Sequence, residues 1–203
     1  MKPAHASNSS SGNAIWGLCI LLGIAGAVGR IVPVMDNFAP IGALALFAGA
    51  MLIRFRYAWL VPVFGLLVGD LLVSLIKGYP LWTQSAGFAI QRIFDLGAFV
   101  LITWGGYRYL GKTRAALRVG AFALGSSAIF FLLSNFGVWA ISQFQPEAGL
   151  SYPPTLAGLI DCYTLGLPFY RGTLLGDLFY SGIFFGLAAL ANRQGRALST
   201  SHD

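Results

Sequence analysis

"NFAPIGALALFAGAMLIRFRYAWLVPVFGLLVGDLLVSLIK", Asn37 to Lys77, decides the fold class. Two apolar runs flank the basic break "RFR" at residues 54–56. Each run approaches the roughly 17–25 residues that carry a helix across about 30 Å of hydrocarbon. The second holds a carboxylate, Asp70, and "TLLGDLFYSG", Thr173 to Gly182, repeats the arrangement around Asp177. Both set Gly-Asp-Leu ahead of a serine four residues on from the aspartate, Ser74 and Ser181.

The rest of the chain agrees with these two runs. Of 203 residues 57% are hydrophobic and 10% charged, and the mean hydropathy is +0.72, outside the range of soluble domains. The reading is all-α: a polytopic membrane protein with six transmembrane helices near 14–29, 37–53, 57–76, 86–106, 119–141 and 172–191. Residues 1–13 and 192–203 are polar tails flanking one membrane domain, 14–191. "AGA" at residues 25–27 resembles a signal-peptide cleavage site, but the segment before it is long and polar and holds one lysine, Lys2, so the first helix is expected to stay uncleaved.

Basic residues set the expected orientation. Lys2, Arg54, Arg56, Arg108, Lys112, Arg114, Arg118, Arg193 and Arg196 fall on one side, and Arg30, Lys77, Arg92 and Arg171 on the other. The first side is then cytoplasmic and holds both termini, in the cell inner (plasma) membrane. The net charge of +6 reads as topology signal and lipid headgroup contact, not nucleic-acid binding. Cys19 lies in an apolar span and Cys162 in an outer connection, so no bridge between them is expected.

At about 1.5 Å per helical residue, Asp70, Arg92, Asp95, Asn135, Asp177 and Asn37 all come within roughly 10–15 Å of the outer surface on this topology. A charge in hydrocarbon costs roughly 2.5–3.5 kcal/mol on the insertion scale and therefore faces a cavity or a partner. A common depth lets these residues share one outward-facing polar pocket. Equally, they could form ion pairs and helix-end contacts that only orient the bundle, with Lys77 snorkelling to the interface.

The outer connection after the fifth span runs "SQFQPEAGLSYPPTLAGLIDCYTLGLPFYRGT". Pro153-Pro154 stops any preceding helix, "TLAGLIDCYTL" suits a short interfacial helix, and Pro168 ends it. Its Tyr152, Tyr163, Phe169 and Tyr170, with Tyr79, Trp82, Phe88 and Trp139, form an interfacial aromatic belt, part of which can cap a pocket for a flat, amphipathic ligand. Small-xxx-small pairs, Ala25/Gly29 and Ala45/Gly49, permit close helix approach, inside the monomer or against a partner subunit.

Enzyme readings find little support. His5 and His202 are the only histidines and sit in the tails, against imidazole metal sites and serine–histidine chemistry. Paired membrane carboxylates suggest an intramembrane aspartyl protease, but that family carries Gly-x-Gly-Asp, and Leu67-Val68-Gly69 precedes Asp70 here. There is no Walker-type loop, Cys-x-x-Cys or Asp-rich prenyl-diphosphate motif. No catalytic residue, metal ligand or cofactor is expected.

The phrases around Asn37 to Leu72, with "SNFGVWA", "YPPTLAGLIDCY" and "LPFYRGTLLGDLFYSGIFFG", resemble an uncharacterised family of bacterial six-helix membrane proteins. More loosely, residues 37–72 are similar to the early helices of the S components of energy-coupling-factor vitamin transporters. That resemblance implies an extracellular ligand pocket and small-residue faces that dock on a transmembrane coupling subunit with its ATPases; Ala45 and Gly49 would lie on such a face.

The expected function is a small-molecule uptake protein that captures a vitamin-like or other amphipathic solute. Asp70, Arg92, Asp95, Asn135 and Asp177 would line or brace the pocket, Asn37 would share it, and Trp139, Tyr152 and Tyr163 would cover it. The alternative is a membrane interaction or assembly protein with no ligand.

Overall fold

The structure, a computed structural model, describes residues 20–31, 35–52, 56–78, 86–143 and 152–200. The N-terminal tail, the start of the first expected span with Cys19, Arg54, and the aromatic residues Tyr79 and Trp82 lie outside the described residues. The fold is all-α, with six helices and no strand among the described residues. Helix α1 is described over residues 20–28. It is followed by α2 (Ile41–Met51), α3 (Leu60–Lys77), α4 (Ala86–Gly105), α5 (Ala116–Ser142) and α6 (Leu156–Thr200). A π-helical turn, Gly106–Leu110, continues α4.

Among the described residues, three helical stretches are long and apolar enough to cross a membrane: α3, α5 and Leu156–Ala191 of α6. Their outer faces carry large apolar side chains, such as Leu75, Leu117 and Leu156 at 72%, 88% and 72% exposure. Burying such residues in lipid satisfies them where water would not. This is the composition and shape of a membrane protein.

The stretch around "GALALFAGA" behaves differently. With 11 residues, α2 is about 16 Å long, far short of the roughly 30 Å hydrocarbon thickness. Its residues Ile41 to Ala50 are all buried, because α3, α4, α5 and α6 pack around it. It is the axis of the bundle. Ile41, Ala45, Leu46 and Phe47 meet Leu66 of α3, Phe99 and Ile102 of α4, Ala123 of α5 and Phe185 of α6 in one core.

The small residues of α2 are used here. A side chain at Gly49 would collide with the Thr103 carbonyl, and one at Gly106 with the Leu46 carbonyl, so the backbones of α2 and α4 touch. Ala45 is fully buried. The expectation that Ala45 and Gly49 form a partner-docking face is therefore corrected: their size is spent inside the monomer.

Pro168 does not end a helix. It lies inside α6, which runs unbroken from Leu156 to Thr200, so the short outer interfacial helix is the first part of α6. The proline removes one backbone N–H, but α6 is held along α5, its most extensive neighbour, through the Tyr163 hydroxyl to the Leu132 carbonyl (2.9 Å) and Phe131 against Tyr163 and Tyr170. Packed helices in membranes absorb a proline in this way.

Candidate functional site: an ion cluster, a capped helix and an aromatic cleft

The expected single polar layer resolves into three places. The first is an ion cluster at the meeting of α1, α3 and α4. Asp70 accepts from Arg30 Nη2 (2.6 Å), and its other oxygen pairs with Arg92 Nε (2.8 Å). Arg92 Nη1 donates to Asp95 Oδ2 (2.6 Å). Two arginines face two aspartates, so the cluster is neutral. Gln91 extends it to α5, its Nε2 lying 3.4 Å from Asp95 Oδ1 and 2.9 Å from the Ser134 carbonyl. Gly69 makes room for this: a side chain there would meet Arg30 Nε at 2.8 Å.

The second place is Asp177. It is 1% exposed and lies against Gly42 in the first turn of α2. That turn holds no acidic residue, and its N-cap, Pro40, makes no side-chain bond, which leaves buried N–H groups without a partner from their own helix. Asp177 supplies one across the bundle. It accepts from the Ala43 N–H and from Ser127 Oγ (2.9 Å), with Ser126 Oγ at 3.5 Å. Among the described residues no cation pairs with it.

Asp177 therefore does not share the depth of the ion cluster. It meets α5 at Ser127, about 10 Å along the helix from Ser134, where Gln91 bonds. The common depth rested on a sixth span starting at Gly172, whereas α6 starts at Leu156.

The third place is a cleft of about 430 Å³ between α5 and α6. Asn37, Ser134, Asn135, Tyr152, Cys162 and Thr173 bring polar atoms to it, among Phe130, Phe131, Phe169 and Tyr170. Among the described residues that line it, none carries a charged side chain. Asn37 sits at φ 58°, in the left-handed region that asparagine tolerates better than most residues, on the turn leading into α2. Asn135 donates to the Phe131 carbonyl (2.8 Å) and packs against Gly166, while its own carbonyl accepts from Cys162 Sγ (3.3 Å).

The cleft thus gathers Asn37, Asn135 and Tyr152 from the expected set, but not Asp70, Arg92, Asp95 or Asp177. Trp139 and Tyr163 stand beside it in supporting roles. Trp139 Nε1 donates to the Pro153 carbonyl (3.1 Å), and Gln143 Nε2 to the Tyr152 carbonyl (2.7 Å), which ties residues 152–153 across the end of α5.

The model of the Family of unknown function (DUF6580) matches residues 10–198. The chain belongs to this family. No curated protein and no solved structure matches it. The DUF6580 fold in this chain also uses residues that sequence reading passed over. Arg30, in the sequence no more than a topology charge, closes the ion cluster. Gln91 joins that cluster to α5. "SS" at Ser126-Ser127, a polar pair in an apolar helix, was the visible signal for a buried acceptor opposite.

Proposed function

We propose that the chain is a membrane small-molecule uptake protein that binds an uncharged, flat, amphipathic solute in the cleft between α5 and α6. The observation that carries this reading is the cleft's makeup: about 430 Å³, walled by aromatic rings, with uncharged polar groups converging from the turn at Asn37, from α5 and from α6. Pockets of this size and chemistry are how proteins usually hold small ligands. In the same reading six helical segments enter the inner membrane, the short α2 enclosed by the others, with both ends in the cytoplasm and the cleft facing outward. Like an S component, it would hand its solute on with the help of a coupling subunit and its ATPases, docked on a face other than Ala45 and Gly49.

Asp70, Arg92 and Asp95 serve this protein as a brace, and Asp177 as the cap of α2. The self-neutralised ion cluster also favours the second reading, an assembly protein whose polar contacts only hold the bundle. Two variants separate the readings. Asn135→Leu removes polar atoms from the cleft, and Asp177→Asn alters a contact outside it. An uptake screen with labelled vitamins and other cofactor precursors, run with native mass spectrometry of the purified protein, should find a solute that Asn135→Leu no longer binds while remaining folded. Absence of any co-purifying solute or uptake, with Asp177→Asn lowering only folded yield, sinks the binder and leaves the assembly protein.

A further inference from the structure

A second cavity lies at the opposite end of the α5–α6 pair, away from the solute cleft. It is a trough of about 370 Å³ between the first turns of α5 and the second half of α6, lined by Arg114, Ala116, Gly120, Ser181, Gly182 and Phe185 among others. Its far wall runs from Leu178 to Ala189, about 16 Å of helix. Side chains placed at Gly120, Gly182 or Gly186 would meet nothing within 4 Å, so these glycines leave an open channel rather than a close helix contact.

The mouth and floor are polar in a specific way. Arg114 is anchored through Nη2 by the carbonyls of Ala50 (3.0 Å) and Gly111 (3.1 Å), and among the described residues no carboxylate pairs with it. Ala115, the N-cap of α5, makes no side-chain bond, so the first N–H groups of this 27-residue helix are available to an anion. Arg108, Lys112 and Arg118 flank the mouth in sequence, and no Asp or Glu occurs between Asp95 and Glu147. Ser181, 1% exposed, lines the trough with a hydroxyl that has no hydrogen-bond partner among the described residues.

We propose that this trough binds one anionic glycerophospholipid, its phosphodiester at Arg114 and the α5 N-terminus, its glycerol passing Gly120 and Gly186, an ester carbonyl at Ser181 and one acyl chain continuing past Gly182 and Leu178. Positive charge at the mouth selects an anionic headgroup, and the apolar glycine-floored channel selects a chain over a free ion.

The test is thermal unfolding of the full chain in detergent, titrated with phosphatidylglycerol, phosphatidylcholine or inorganic phosphate. Phosphatidylglycerol should raise Tm by several degrees, and the other two should not. Gly182→Leu, whose side chain enters open space, should fold and lose that rise. Arg114→Gln should weaken the apparent affinity about fivefold, the worth of one basic contact. Arg108→Gln should change it little, since that arginine is exposed over the Tyr109 ring and outside the trough. An equal rise with phosphatidylcholine, the same rise from phosphate alone, or a full rise in Gly182→Leu overturns the proposal. Should Arg114→Gln fail to fold for want of its Ala50 anchor, Gly182→Leu decides.

Discussion

The two Gly-Asp-Leu segments show how far identical local sequence can diverge in role. Asp70 is held by two arginines, with its side chain 8% exposed, whereas Asp177 faces serines and the start of a helix. Sequence reading placed both in apolar helices beside glycine, which holds. It could not tell them apart, because the partners come from α1, α2, α4 and α5, far away in the chain. At the ion cluster, removing one charge strands another where solvation is poor, which costs about 3–5 kcal/mol in buried pairs. Asp70→Leu should therefore lower stability by about that amount, and Arg30→Leu should also destabilise. The double variant Arg30→Leu/Asp70→Leu leaves Arg92 with Asp95 as a neutral pair and should recover much of the loss. Unfolding in detergent, treated as a double-mutant cycle, checks this; strictly additive effects would show that Arg30 and Asp70 do not act as a pair.

At the scale of elements, the informative failures are α2 and α6. Both apolar runs of the opening stretch look alike to a hydropathy window, yet α3 is a candidate span and α2 a short central axis. Small residues mark α2: Gly42, Gly49 and the alanines between them let four helices close on it. Such residues were visible, but whether a small face meets a neighbour in the same chain or a second protein depends on the arrangement of the other helices. Gly49→Val should force α2 and α4 apart at the Thr103 carbonyl and destabilise the fold by about 1–3 kcal/mol or more, whereas Gly97→Val, with nothing within 4 Å of a new Cβ, should cost less. Comparing the melting of the two variants in detergent tests the assignment of α2 to the core. In α6, Pro168 read locally as a stop. The packing against α5 carries the helix through it.

For the whole molecule, the asymmetry of basic residues makes the prediction. Cysteines introduced at Arg56 and at Lys112, in a background lacking Cys19 and Cys162, should react with an impermeant maleimide from one side of the membrane, and a cysteine at Lys77 from the other. Labelling of the Arg56 and Lys112 positions from opposite sides would refute the expected orientation. Composition, hydropathy and turn residues by themselves determined an all-α membrane protein, because helices in lipid must satisfy their own backbone and the chain must show enough apolar length to do so. They also marked Asp70, Arg92, Asp95, Asn135 and Asp177 as polar residues that need a reason to be inside it, but not Arg30, Gln91 or the Ser126-Ser127 pair as their partners. Only the tertiary structure decided which of these come together: Arg30 with Asp70, Asp177 with the start of α2, and Asn37 and Asn135 on the lining of one cleft. Those pairings follow from helix packing between distant segments, and a linear pattern of apolar and polar residues does not record distance in space.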